Sequence, residues 1–150
     1  MKLTEILTEA EQRPAVVRDC VALLDAEVAS KGGVSGLAIK AGYKVVKTVK
    51  PGLIAEAFND LLDDFAARLD PTYSAYLADG GKSFAAYAAP RAGEIAEALL
   101  GITDDRARRA RNKTIKKTYD KLRPYGKKNV EQAVPGIGRL IDRYAPAAGA

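Results

Sequence analysis

Apolar residues in this chain recur at steps of three and four, and proline or glycine interrupts them at about one helix length. That pattern permits helices and little else. In "PAVVRDCVALLDAEVAS" the stripe is Val17, Val21, Leu24 and Val28, and Pro14 falls in the first turn, where its missing N–H costs little. "KGG" at 31–33 ends the segment, because glycine accepts a left-handed cap. A short helix is expected before it, from Leu3 to about Thr8. After it, "VSGLAIKAGYKVVKTVK" runs to Pro51-Gly52, and "LIAEAFNDLLDDFAARLD" runs to Pro71. A short helix over Phe84 to Ala89 follows, and Pro90 opens another through Leu100 and Gly101. Thr103, Asp104 and Asp105 suit a helix N-terminus, since they answer free amides and the helix dipole. That helix is expected to reach Arg123. The last one ends near Tyr144, with Val130, Val134, Ile137, Ile141 and Tyr144 on one stripe and Pro135 interrupting or kinking it. The tail "APAAGA", 145–150, is expected to fray. No strand pattern competes. The fold class is all-α, with about seven helices in one compact helical domain over 1–150.

A chain of 150 residues, 47% hydrophobic, is the size of one domain and can build a core without staples. It has no histidine, which removes imidazole-based triads and His-ligated zinc or haem. One cysteine, Cys20, allows no internal disulfide and no Cys-rich metal site, and it sits in an apolar helix as a packing residue. No stretch reaches the about 20 apolar residues of a membrane span, and "MKLTEILTEAEQRP" lacks the apolar core of a signal peptide. A cytoplasmic setting is expected. Catalysis would fall to carboxylates, lysines or tyrosines, so the reading leans away from an enzyme, with no cofactor.

The chain echoes itself. Ile39, Lys40 and Tyr43 stand 76 positions before Ile115, Lys116 and Tyr119, and Val46-Lys47 maps onto Leu122-Arg123. The same offset carries Pro14 onto Pro90 and one "ALL" onto another, and "PGLI" at 51 resembles "PGIG" at 135 if "PYGKKNV" is an insertion. Chance similarity between Ala/Leu-rich basic helices is the rival account. On the duplication reading the chain is two tandem three-helix units, about 9–74 and 85–145.

Charge is blocked more strongly than the net +5 suggests. Residues 1–30 carry −3, 31–52 carry +5 with no acid, 53–81 carry −5, and 104–128 carry +8. Lys40, Lys44, Lys47 and Lys50 share one face of their helix, with Val34, Ala38, Ala41, Val45 and Val49 opposite. The next helix mirrors it, with Glu56, Asp60, Asp63 and Asp64 opposite Ile54, Phe58, Leu61 and Phe65. The simple expectation is that these two helices bury their apolar sides together while their charged rims attract. "RARRARNKTIKKTYDKLR" has no such neighbour, and its apolar stripe is thin: Ala107, Ala110, Ile115, Tyr119 and Leu122. Two basic helices side by side would make a surface for phosphates or an acidic protein, with Arg106, Arg109, Lys113, Lys116, Lys117, Lys40, Lys44 and Lys47 as its candidate contacts. An ordinary solvated face is the competing account.

Other motifs carry less. "DGGKS" at 79–83 resembles the end of a phosphate loop, but Tyr76 occupies the position of its first glycine and no strand precedes it. "KGGVSG" at 31–36 offers amides at a helix start, and a helix–helix turn explains it equally well. Asp60, Asp63 and Asp64 line one helix face and are the weak alternative metal site, without the second acidic cluster that such sites use. The tyrosines form no stacking platform for single strands.

The segments "RPAVVRDCVALLDAEVASKGGVSGLAIKAGYKVVKTVKPG", "LLDDFAARLDP", "ALLGITDDRA" and "YDKLRPYGKKNVEQAVP" together resemble an actinobacterial family of short uncharacterised proteins, a domain of unknown function. The likeness covers nearly the whole chain. It implies a cytosolic bacterial protein of one stand-alone domain, and no catalytic or binding residue comes with it. The favoured reading is a non-enzymatic interaction module whose basic helices contact an acidic macromolecule, nucleic acid or protein. The alternatives are a carboxylate-based metal binder or enzyme around Asp60, Asp63 and Asp64, and a structural or homo-oligomeric helical protein.

Overall fold

The computed structural model describes residues 1–145. Among them are eight α-helices and no strand: α1 (Leu3–Leu7), α2 (Arg13–Ser30), α3 (Gly33–Val49), α4 (Leu53–Ala78), α5 (Phe84–Ala88), α6 (Ala92–Arg108), α7 (Lys113–Leu122) and α8 (Gly126–Tyr144). Short 3₁₀ turns, Ala89–Arg91 and Arg123–Tyr125, lead into α6 and α8. Among the described residues no helix is long and apolar enough to cross a membrane.

Four helices make the body. α4 packs on α2 and α6, and α8 packs on α6 and α2. The two five-residue helices close it, α1 against α4 and α5 against α8. Leu3, Val16, Leu62, Ala66, Leu69, Phe84, Ile95, Val134 and Ile141 are buried in one continuous core. Tyr73, Tyr76 and Phe84 meet within it, edge-on or tilted, with ring centroids 5.3–5.9 Å apart. α3 and α7 stand outside this body, packed chiefly on each other. Neither supplies a fully buried side chain to the core; Gly36 is the one buried residue of α3.

Two carboxylates tie the short helices down. Asp70, in α4, accepts from the Thr4 amide at 3.1 Å and from the Thr4 hydroxyl. Asp142, in α8, accepts from the amides of Phe84 at 2.8 Å and Ala85 at 3.1 Å, and from the Ser83 hydroxyl at 3.3 Å. Helices of five residues are too short to hold themselves, and these bonds satisfy their first amides.

Several boundaries differ from expectation. α4 does not stop at Pro71 but passes through it to Ala78. Proline inside a helix forfeits a bond and costs about 3 kcal/mol. Burying Tyr73 and Tyr76 just beyond it offsets that, at about 2 kcal/mol or more per large side chain, less about 1–3 kcal/mol for the Tyr76 hydroxyl, which is buried without a hydrogen-bond partner among the described residues. "DGGKS" is the C-cap of α4: Gly81 donates to the Tyr76 carbonyl at 3.0 Å, with Gly80 and Gly81 at positive φ. Ser83 then caps α5.

Gly101 does not end α6, so Thr103, Asp104 and Asp105 lie inside a helix rather than at its start. The chain breaks at 109–112 instead, and Asn112 starts α7 by accepting from the Ile115 amide at 3.1 Å. Pro51-Gly52 is a turn, with Gly52 at φ 85°, while Pro135-Gly136 lies inside α8. That part of the echo is therefore not structural, and "PYGKKNV" forms the end of a 3₁₀ turn and the first turn of α8. The tail expected to fray lies outside the described residues except for Ala145, which is buried and donates to Ile141 at 2.8 Å.

Candidate functional site

The paired helices α3 and α7 form the most unusual surface of the molecule. They approach closely because position 42 has no side chain: a Cβ on Gly42 would lie 2.6 Å from Leu122 Cδ1. Each is clasped to the helix before it by one aspartate. Asp25 of α2 accepts from the Tyr43 hydroxyl, and Lys47 Nζ stands 3.7 Å from the same oxygen and 5.2 Å over the Tyr43 ring. Asp104 of α6 accepts from the Tyr119 hydroxyl at 2.5 Å and from Arg123 Nε and Nη2 at 2.8 and 3.1 Å. The hydroxyls of Thr103 and Tyr119 share a further bond of 2.8 Å.

The clasps shift their groups as the charges dictate. Arg123 holds the Asp104 carboxyl below the usual carboxylate range, against a smaller opposing effect of burial. Burial, then the bond to Asp104, pushes the Tyr119 phenol up to about 12. Burial, then Asp25, raises the Tyr43 phenol as well. None of these groups is poised to exchange protons near neutrality. Cys20, pushed up to about 12 mainly by burial, is an inert thiol.

With Ile39, Gly42, Tyr43 and Val46 turned inward, the other side of α3 is left bare. Val34, Leu37, Ala41, Val45 and Val49 are exposed, the four large ones by 85, 69, 37 and 43%. The sequence reading took most of this strip as a buried face against α4, and the structure overturns it. A signal for the true orientation existed in the echo. The thin apolar stripe of the second basic helix, Ile115, Tyr119 and Leu122, corresponds to Ile39, Tyr43 and Val46.

The candidate cations divide into two groups. Arg106 donates to Asp60 at 3.1 Å, Arg108 pairs with Asp105, and Arg109 Nε reaches the Asp105 carbonyl at 3.3 Å. Arg106 is thus engaged by an acid of α4, which corrects the expectation that its basic segment has no acidic neighbour, and Lys47 is engaged by Asp25 of α2. Lys40, Lys44, Lys113, Lys116 and Lys117 are exposed and make no ion pair among the described residues, and the same holds for Lys121. They lie on exposed sides of the two packed helices, Lys40 and Lys44 on the flank of the bare strip of α3.

The acidic face of α4 is also spoken for. Arg13 binds Asp63 through both terminal nitrogens, at 3.2 and 3.0 Å, and holds its carboxyl below the ordinary range. Asp60 takes Arg106, so only Lys50, 3.9 Å from Glu56, links the rims of α3 and α4. Asp60, Asp63 and Asp64 do not converge, and the described residues contain no group of three acidic or thiol side chains placed to hold a metal ion. A polar cleft of about 520 Å³ lies at the start of α3, lined by Glu27, Lys31, Ser35, Lys128, Asn129 and Gln132. Lys31 is already bonded there to Glu27 at 3.2 Å and Gln132 at 2.8 Å.

The profile of a family of unknown function, DUF6918, matches residues 3–145. The chain belongs to that family. No curated protein and no solved structure matches it.

Proposed function

We propose that this DUF6918 protein is a non-enzymatic interaction module that uses the lysine-rich outer side of α3 and α7 to contact an acidic macromolecule, a nucleic acid or an acidic protein. One observation carries the reading. Lys40, Lys44, Lys113, Lys116 and Lys117 are exposed without ion-pair partners among the described residues, on two helices that give the core no fully buried side chain. A helix pair that contributes so little to the body is free to be shaped by what it touches. The proposal includes the cytosolic, actinobacterial setting that the sequence resemblance implies. The repeated aspartate clasps and aspartate caps support reading the two halves as copies of one unit.

The test is a titration of the full chain with duplex nucleic acid at several salt concentrations. Five lysines on phosphates give a slope of log K against log salt of about −4.5. Changing those five lysines to glutamine should abolish binding without altering the melting temperature. Retained affinity in that variant removes this surface from the function.

A further inference from the structure

We infer that the outer side of α3 docks on an anionic lipid bilayer, with the apolar strip at the headgroup boundary and the lysines on lipid phosphates. This rests on the reading that α3 and α7 form an anion-facing surface, and it names a partner that uses more of that surface. Val34, Leu37, Ala41, Val45 and Val49 follow one another at steps of three and four along one side of the helix, all exposed. The strip is about 22 Å long at 1.5 Å per residue. Lys40 and Lys44 lie along its flank, one helical step from Ala41 and Val45. The adjoining α7 exposes Lys113, Lys116, Lys117 and Lys121 with a single acid, Asp120, among them, so its exposed side is net positive.

Charge and shape choose among the occupants. A second copy meeting strip to strip would bring lysine against lysine. Nucleic acid would satisfy the lysines and leave the leucine and valines in water. A lipid surface is broad enough to meet both sets at once, and it takes up a shallow apolar ridge whose neighbouring lysines snorkel to phosphate. The strip is mostly valine and has no large aromatic residue, so the apolar contact alone is too small to hold the protein. Binding therefore requires anionic lipid as well.

The experiment is flotation of the full chain with vesicles of phosphatidylcholine, with or without phosphatidylglycerol. Binding is expected only with phosphatidylglycerol. Lys40→Gln/Lys44→Gln should weaken it about thirtyfold, since each lysine near an anionic surface is worth about a factor of five. Leu37→Ser/Val45→Ser leaves the charge unchanged and should weaken binding about tenfold. Both residues are exposed, so the fold tolerates the change, and an unaltered melting curve verifies that. The chain has no tryptophan, so Leu37→Trp provides one reporter, whose emission should shift to the blue on these vesicles. Vesicle binding that ignores the serine pair, with no blue shift, overturns the inference and leaves the cationic surface standing. Nucleic-acid binding without vesicle binding does the same. Failure to bind either polyanion sinks this inference and the nucleic-acid form of the proposed function.

Discussion

The two halves of the molecule build the same corner with different strengths. At the first, Tyr43 and Lys47 of α3 meet Asp25 of α2, and the lysine stands 3.7 Å away at an exposed edge. At the second, Tyr119 and Arg123 meet Asp104 of α6, and the guanidinium grips both carboxylate oxygens from 2.8 and 3.1 Å. The outer faces diverge in the opposite sense. Leu37, Ala41 and Val45 stand where the second helix has Lys113, Lys117 and Lys121. The α7 corner thus has the firmer cation grip and a wet lysine face, while the α3 corner has the looser one and an apolar face. The two corners share an aspartate–tyrosine–cation arrangement but present different outer faces.

The short helices offer the most severe way to probe that equivalence. Four residues before Asp70 stands Ala66, and four before Asp142 stands Gly138, both fully buried. A Cβ on Gly138 would lie 2.4 Å from Ala85 Cα, so α5 crosses α8 backbone to backbone. Gly138→Ala should cost about 3 kcal/mol in denaturant unfolding, because a backbone and not a side-chain tip must move. A cost below about 1 kcal/mol would show that α5 can slide away, and that its cap by Asp142 is not rigid.

The clasps should differ next. Asp104→Asn removes a charge that accepts three bonds and should cost about 2 kcal/mol, whereas Asp25→Asn should cost less than about 1 kcal/mol at its exposed edge. The acid side of the stability curve gives a second measure. Asp104 and Asp63 both titrate below the usual carboxylate range in the folded chain. Their contribution is complete above the unfolded value of about 4 and is lost as pH falls through the depressed folded values. Asp104→Asn should therefore flatten the loss of stability on acidification below about pH 4. An unchanged acid limb would mean that Arg123 does not hold Asp104 in solution.

The helical class, and most helix starts, were legible because proline, glycine and the three-and-four spacing act locally. What was not legible depended on distant partners. Pro71 reads as a stop until Tyr73 and Tyr76 are seen to bury beyond it. Thr103, Asp104 and Asp105 read as a cap because nothing in their neighbourhood announces Tyr119 and Arg123 as the groups Asp104 serves. The lysine surface was half visible: Lys40, Lys44, Lys113, Lys116 and Lys117 are exposed, but the charge count alone could not reveal that Arg106 and Asp60 cancel each other. The apolar strip was misassigned for a related reason. Helical periodicity finds an amphipathic face without saying whether that face is covered, and on α3 the covered side is the one with Ile39, Gly42, Tyr43 and Val46.

Exchanging the cations of the two clasps gives the smallest effect and the finest test. Arg123→Lys replaces a planar fork by a point charge that cannot reach both Asp104 oxygens, at a cost of about 1 kcal/mol. For a chain of this size that lowers the melting temperature by about 3 °C. Lys47→Arg offers Asp25 a fork that it lacks, and the Tyr43 ring already beside Lys47 suits a guanidinium at least as well as an ammonium. The gain should be no more than about 0.5 kcal/mol, since the site is exposed and water competes for the pair. The asymmetry is the informative part. If Lys47→Arg stabilises by as much as Arg123→Lys destabilises, burial does not separate the corners and only the identity of the cation does. If Lys47→Arg does nothing while Arg123→Lys costs its full amount, the second corner owes its strength to surroundings that the first never had.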